Sequence, residues 1–242
     1  MAALLETPGN RVGTRRQMAL SLILGCIVLL FVAALTAIPA CRSALGRPAV
    51  YGLTALACGI ILVAALPSLG PVAAIERALP LGIPWIGAHV RLDALAAFFL
   101  VVVNLGGVAA SLYAIGYGRH ETGPGRVLPF FPAFLAAMNL VVLADDAFVF
   151  LFSWELMSLT SWALVMVQHR EQGTGQAGYV YLVMAGFGTL CLLLAFGLLA
   201  GADGAYVFGA MRAESLPAWK MTLVLLLVLV GAGSKAGIVP LH

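Results

Sequence analysis

A chain of 242 residues that is 62% hydrophobic and only 10% charged, with a mean hydropathy of +1.06, lies far from soluble composition, where about a quarter of residues are charged. This excludes a soluble globular domain and makes the protein integral to a membrane. The net charge of +3 comes from loop arginines and excludes nucleic acid as a partner, which needs a clustered basic face.

A helix needs about 20 apolar residues to cross a ~30 Å hydrocarbon core. Runs of that kind cover Met18 to Ile38, Val50 to Leu66, Leu92 to Ile115, Val127 to Ala144, Ala147 to Val167, Ala177 to Gly201 and Trp219 to the C-terminus. The expected fold is therefore all-α, a polytopic transmembrane bundle of about seven spans, without the strand alternation of a membrane barrel. Four segments follow: a disordered tail (1–17), two N-terminal transmembrane helices (18–66), a surface hairpin or loop (67–91), and helices three to seven (92–242). Thr14-Arg15-Arg16-Gln17 resembles a twin-arginine export signal, but the apolar run behind it exceeds the roughly 7 to 15 residues of a signal-peptide core, so it reads as a retained helix. The Pro- and Gly-rich stretch before Leu92 fits a hairpin on the membrane surface, with Trp85 at headgroup depth, and Gly204 to Pro217 fits a short surface helix. Lys and Arg divide seven to five between the N-terminal side and the opposite one, which leaves orientation undecided.

The four cysteines show no CxxC or CxxH spacing, and the four histidines fall in loops or at the chain end. No metal or redox cofactor is expected, and no catalytic centre is visible, so any enzyme activity would belong to a larger complex.

Two ionisable residues lie inside apolar stretches that otherwise read as lipid-buried: Glu155 in the fifth span and Lys235, well beyond the Lys220 at its start, in the seventh. A charge at the bilayer centre costs roughly 2.5 to 3.5 kcal/mol on insertion scales, so such residues face a protein interior or a watery path. Glu155, Ser158 and Trp162 share a helix face, and Ser161 lies beside it, as a hydrogen-bonded proton relay requires. The bland alternative is a carboxyl that glues helices together. Lys235 sits among Gly231, Gly233, Ser234, Gly237 and Pro240, so the seventh helix is expected to break near its charge, where a cavity must satisfy the freed backbone. Two unit charges about 5 Å apart at an effective dielectric near 20 interact by about 3 kcal/mol, and by half that at ~10 Å. Moving Glu155 and Lys235 together or apart could therefore load or release a proton. Asp146 is expected to cap the fifth helix, Asn104 and Asn139 to hydrogen-bond between helices, and Gly197 with Gly201 to mark close helix packing.

Phe152-Ser153-Trp154-Glu155-Leu156-Met157-Ser158-Leu159, then Gly178 to Ala185, and Gly233 to His242 resemble the antiporter-like membrane subunits shared by complex I, Mrp cation antiporters and group 4 hydrogenases. The wording is most like the hydrogenase 4 and formate hydrogenlyase branch, and the likeness covers roughly residues 80–242. It implies a proton-translocating module of about fourteen helices in two inverted repeats, with its N-terminus outside the cytoplasm. Glu155 matches the family's glutamate on helix five, and Lys235 the lysine on its broken helix seven. Its path continues along buried Glu, Lys and His residues, which adds His242 as a candidate beside the Ser158 and Ser161 already read from the helix face. Where hydrogenase-type relatives carry a histidine, this chain has Gly186, so no relay is expected there.

The sequence ends at His242 inside the seventh span, so an N-terminal part of such a subunit is expected. Its implied setting is a bacterial inner membrane, with other membrane and peripheral subunits of an oxidoreductase complex as partners. The ion would be the proton, with sodium the alternative. An Mrp-type Na⁺/H⁺ antiporter subunit, a structural membrane subunit and a truncated remnant are the competing readings.

Overall fold

Where no water reaches the backbone, each amide must find its partner inside the segment, so long apolar runs become helices. The computed structural model describes residues 8–71, 73–83, 87–117, 124–168, 173–201 and 204–238. In chain order the elements are α1 (Pro8–Ala40), α2 (Gly46–Ala65), strands β1 (Ile75–Ile83) and β2 (Gly87–Leu92), α3 (Ala94–Tyr117), α4 (Phe130–Leu143), α5 (Ala147–Val165), α6 (Thr174–Leu199), α7 (Phe208–Ala213) and α8 (Ala218–Ala236). Six of them, α1, α2, α3, α5, α6 and α8, are long and apolar enough to cross a membrane. The protein is an all-α polytopic membrane protein.

Two boundaries differ from those expected. Helix α1 begins at Pro8, so residues 8–17 are helical where a disordered tail was expected; proline is at home in a first turn, where its missing N–H has no partner to lose. The fourth apolar run gives only the 14 residues of α4. Pro129 disfavours helical angles upstream, and at the other end Ala144 leaves the helix to bridge Val90 as extended backbone. The short helix expected between Gly204 and Pro217 is α7. Trp85 lies outside the described residues.

The chain divides into two units, residues 1–76 with 91–142, and residues 77–90 with 143–242. In the first, α1 and α2 run antiparallel through a turn that only glycine permits: a Cβ on Gly46 would lie 2.3 Å from the Ala40 carbonyl oxygen. Gly107 plays the same part for α3, since its Cβ would meet Cys58 Sγ at 2.9 Å. Leu20, Ile23, Leu30, Ile61 and Leu100 fill the interior. Ala37, Val50, Tyr51 and Leu128 form a cluster at one end, with Tyr51 edge-on to Phe131. The expected polar pair is present: Asn104 Nδ2 donates to Asn139 Oδ1 at 2.6 Å, and each amide also donates to the carbonyl one turn back.

In the second unit, the segment entering α5 is flanked by extended backbone, with Ala144 bridging Val90 and Asp146 bridging Val207. Phe150, Phe196 and Phe208 pack ring against ring beside it, and Met211 of α7 packs with Ala147 and Ala200. Near the end of β1, Gly82 takes φ 105°, and a Cβ there would lie 2.2 Å from the Gly87 carbonyl oxygen, so the strands approach on glycine.

Candidate functional site

Asp146 fixes the start of α5. Its backbone is extended (φ −141°, ψ 160°), and its Oδ1 accepts from the Val149 N–H at 2.7 Å, the capping arrangement expected. Its other oxygen accepts the His89 backbone N–H and lies 3.3 Å from His89 Nδ1, which is not aligned for a hydrogen bond. One buried carboxylate thus ties β2 to the helix that carries Glu155.

Further along α5, Ser158 is fully buried and donates its hydroxyl proton to the Trp154 carbonyl at 2.8 Å. Its lone pairs are left free, and Lys235 Nζ donates to them at 2.9 Å. The ammonium also donates to the Tyr181 hydroxyl, which in turn hydrogen-bonds Ser161 Oγ. Since the Ser161 hydroxyl is directed at the Ser158 carbonyl at 3.1 Å, the phenol proton points to Ser161 and the phenol lone pairs face Lys235.

Lys235 reaches this place because α6 and α8 cross on glycine. A Cβ on Gly188 would lie 2.9 Å from the Gly231 carbonyl oxygen, and one on Gly231 would lie 2.8 Å from that of Gly188. The contact expected at Gly197 is not made, as nothing lies within 4 Å of where its Cβ would be. Gly201 instead takes φ 63° after α6 ends. Helix α8 stops one residue after Lys235, where Gly237 adopts φ 69° and its N–H donates to the Gly233 carbonyl. The helix end at Gly237 is what the structure describes where an interruption was expected; Pro240 lies outside the described residues.

Glu155 stands one turn from Ser158 on α5. Its Oε1 is buried without a hydrogen-bond partner, and among the described residues it forms no ion pair with Lys235. Ser158, Ser161 and Lys235 are therefore brought into one hydrogen-bonded cluster with Tyr181, while Glu155 is left on the same helix face with Oε1 unbonded and, among the described residues, without an ion pair to Lys235. His242 lies outside the described residues. Tyr181 was not singled out from the sequence; the available signal was a phenol within an apolar span. A cavity of about 650 Å³ opens beside the cluster, lined by Tyr181, Met184, Ser234 and Lys235 among others. No group of three or more His, Cys, Asp or Glu among the described residues could hold a metal ion.

Residues 144–242 match the family described as NADH:quinone oxidoreductase/Mrp antiporter, TM. Over 163 residues the chain is 39% identical to an uncharacterized protein of Mycobacterium tuberculosis (strain ATCC 25618 / H37Rv), covering 66% of this chain and 25% of that one. It is 36% identical to hydrogenase-4 component B of Escherichia coli (strain K12) over 154 residues, 63% of this chain and 23% of the relative. The chain thus spans about a quarter of the length of these relatives. Its fold is similar to a chain of the membrane-bound sulfane sulfur reductase, an archaeal respiratory membrane complex, with a TM-score of 0.74 at 18% identity over 91% of this chain and 46% of that one.

Proposed function

We propose, from the premise that residues 144–242 belong to the NADH:quinone oxidoreductase/Mrp antiporter transmembrane family, that this chain forms part of a proton-translocating membrane subunit. It would work inside a multisubunit complex of the NADH dehydrogenase or hydrogenase kind, in a bacterial inner membrane, with redox chemistry supplied by other subunits. Glu155 and Lys235 are its coupled protonation switch, and Ser158 and Ser161 line the path between them.

One observation carries this reading: an ammonium held in an apolar span by neutral hydroxyls, one of which, Ser158, is a single helical turn along α5 from Glu155, whose Oε1 has no hydrogen-bond partner. The ammonium has three donors and uses two here. A donor on Lys235 and an acceptor on Glu155 are thus both unfilled, with Glu155 about 4.5 Å of helix rise along α5 from Ser158, which holds Nζ. A charge pair at ~10 Å in an effective dielectric near 20 gains about 1.7 kcal/mol, and at ~5 Å about 3.3 kcal/mol, so a shift of one turn changes the proton affinity of both groups. A structural pair would instead be in contact and stay there.

The chain has two lysines, Lys220 and Lys235, so biosynthetic incorporation of ¹³Cε-lysine, which keeps all three N–H donors, gives Lys235 its own resonance in lipid nanodiscs and Lys220 as an internal reference. Glu155→Gln removes the carboxylate that favours the ammonium, and the pH midpoint of the Lys235 signal should fall by about one pH unit while that of Lys220 stays. An unmoved Lys235 midpoint would overturn the coupled switch.

A further inference from the structure

The hydroxyls that meet Lys235 have a direction. Ser158 gives its proton to Trp154 and Ser161 gives its own to Ser158, so the Tyr181 proton is turned toward Ser161 and away from the ammonium. Both oxygens that touch Nζ are therefore held as acceptors by bonds made elsewhere. Such a pair is a preorganised, uncharged seat for an ammonium, built from two helices and one turn from the competing carboxylate. Among the described residues, the titratable groups on the helices around Lys235 are Glu155 on α5, Tyr179, Tyr181 and Cys191 on α6, and Lys220 on α8 itself; of these, Tyr181 touches Nζ.

We propose that Tyr181 and Ser158 hold the Lys235 ammonium off Glu155, with Tyr181 the positioning residue, so that the charge pair forms only when Lys235 leaves this seat. The proposal rests on the reading that Glu155 and Lys235 are coupled. Tyr181 then sets how readily the pair closes: the stronger its bond to Nζ, the longer the carboxylate stays unpaired. Its placement on the wall of the cavity means that whatever fills that space, water included, competes for the same phenol oxygen.

The sign of one shift separates this from a simple hydrogen-bond contact. If the phenol merely stabilised the ammonium, Tyr181→Phe would lower the Lys235 midpoint. If it holds the ammonium away from Glu155, Tyr181→Phe lets Lys235 move onto the carboxylate, and the midpoint rises. The experiment is the pH titration of the ¹³Cε-lysine-labelled 242-residue chain in nanodiscs, with Lys220 as the internal reference and circular dichroism reporting that each variant is folded. The expected result is a rise of about one pH unit in Tyr181→Phe, abolished in Tyr181→Phe with Glu155→Gln. Ser158→Ala, which deletes the other half of the seat, should also raise the midpoint, and it decides the matter if Tyr181→Phe does not fold. A fall or no change in these variants, with Glu155→Gln alone still lowering the midpoint, overturns the seat and leaves the coupling intact. A Glu155→Gln midpoint equal to that of the parent removes the coupling, and the seat with it.

Discussion

A primary amide inside an apolar span has to satisfy two donors and an acceptor within the protein, and Asn104 and Asn139 do this largely on each other. Both are fully buried, so truncating one leaves the other facing hydrocarbon. Asn104→Ala should destabilise the chain by about 1 to 2 kcal/mol, seen as a lower midpoint of thermal unfolding in nanodiscs. Replacing both with leucine should recover most of that loss, because no polar group is then stranded. If the single and double variants unfold alike, the amide pair is not what holds α3 to α4. The same principle made these residues legible in the sequence: a lone polar group in an apolar run announces that it has a partner. Glu155 and Lys235 announced themselves in that way too. The partners of Lys235 were less legible, because Ser158 and Tyr181 lie 77 and 54 positions away in sequence and only the crossing of helices brings them to it, while Glu155 Oε1 is left without a hydrogen-bond partner.

That crossing is a property of elements. Gly188 and Gly231 bring the backbones of α6 and α8 together, so a side chain at either point must push the helices apart. Valine in place of Gly231 would meet the Gly188 carbonyl and Leu192, and neither can retreat without moving its helix. Lys235, one turn further along α8, would then be drawn from Tyr181 and Ser158. Gly231→Val should therefore change the ¹³Cε chemical shift of Lys235, whereas Gly197→Val, at a position open to its surroundings, should leave it unchanged. An equal response to both would mean that the glycine contact does not position the lysine. The spacing of Gly197 and Gly201 fits a small-residue motif better than the true contact does. Spacing records which residues share a face, but not which face meets another helix, and the chain's 27 glycines make such matches common.

For the whole molecule, composition predicted the class and most of the spans, because apolar length translates directly into membrane-crossing helix. It overestimated α4, since the apolar run continues through Pro129 and Ala144 while the helix does not. Fourteen residues rise about 21 Å, well short of a ~30 Å core, so whether α4 crosses depends on its ends. At its C-terminal end the constraint is firm: Ala144 bridges Val90, and the Asp145 N–H donates to the His89 carbonyl at 2.9 Å, so α4 finishes at the hairpin. At its N-terminal end, Gly125 follows α3, which has 24 residues and begins immediately after the hairpin. If α3 crosses, α4 must return across the same membrane on 14 residues, with the turn at Val127 to Pro129 and the extended backbone at Ala144 making up the distance. In a background without the native cysteines, Ser43→Cys and Gly125→Cys should react with a membrane-impermeant maleimide from one side, and Glu76→Cys from the other. All three positions are exposed, so failure to react would not arise from burial. Labelling of Gly125→Cys from the same side as Glu76→Cys would instead mean that α3 and α4 enter and leave one face, reducing the crossing helices below the six that length and composition allow.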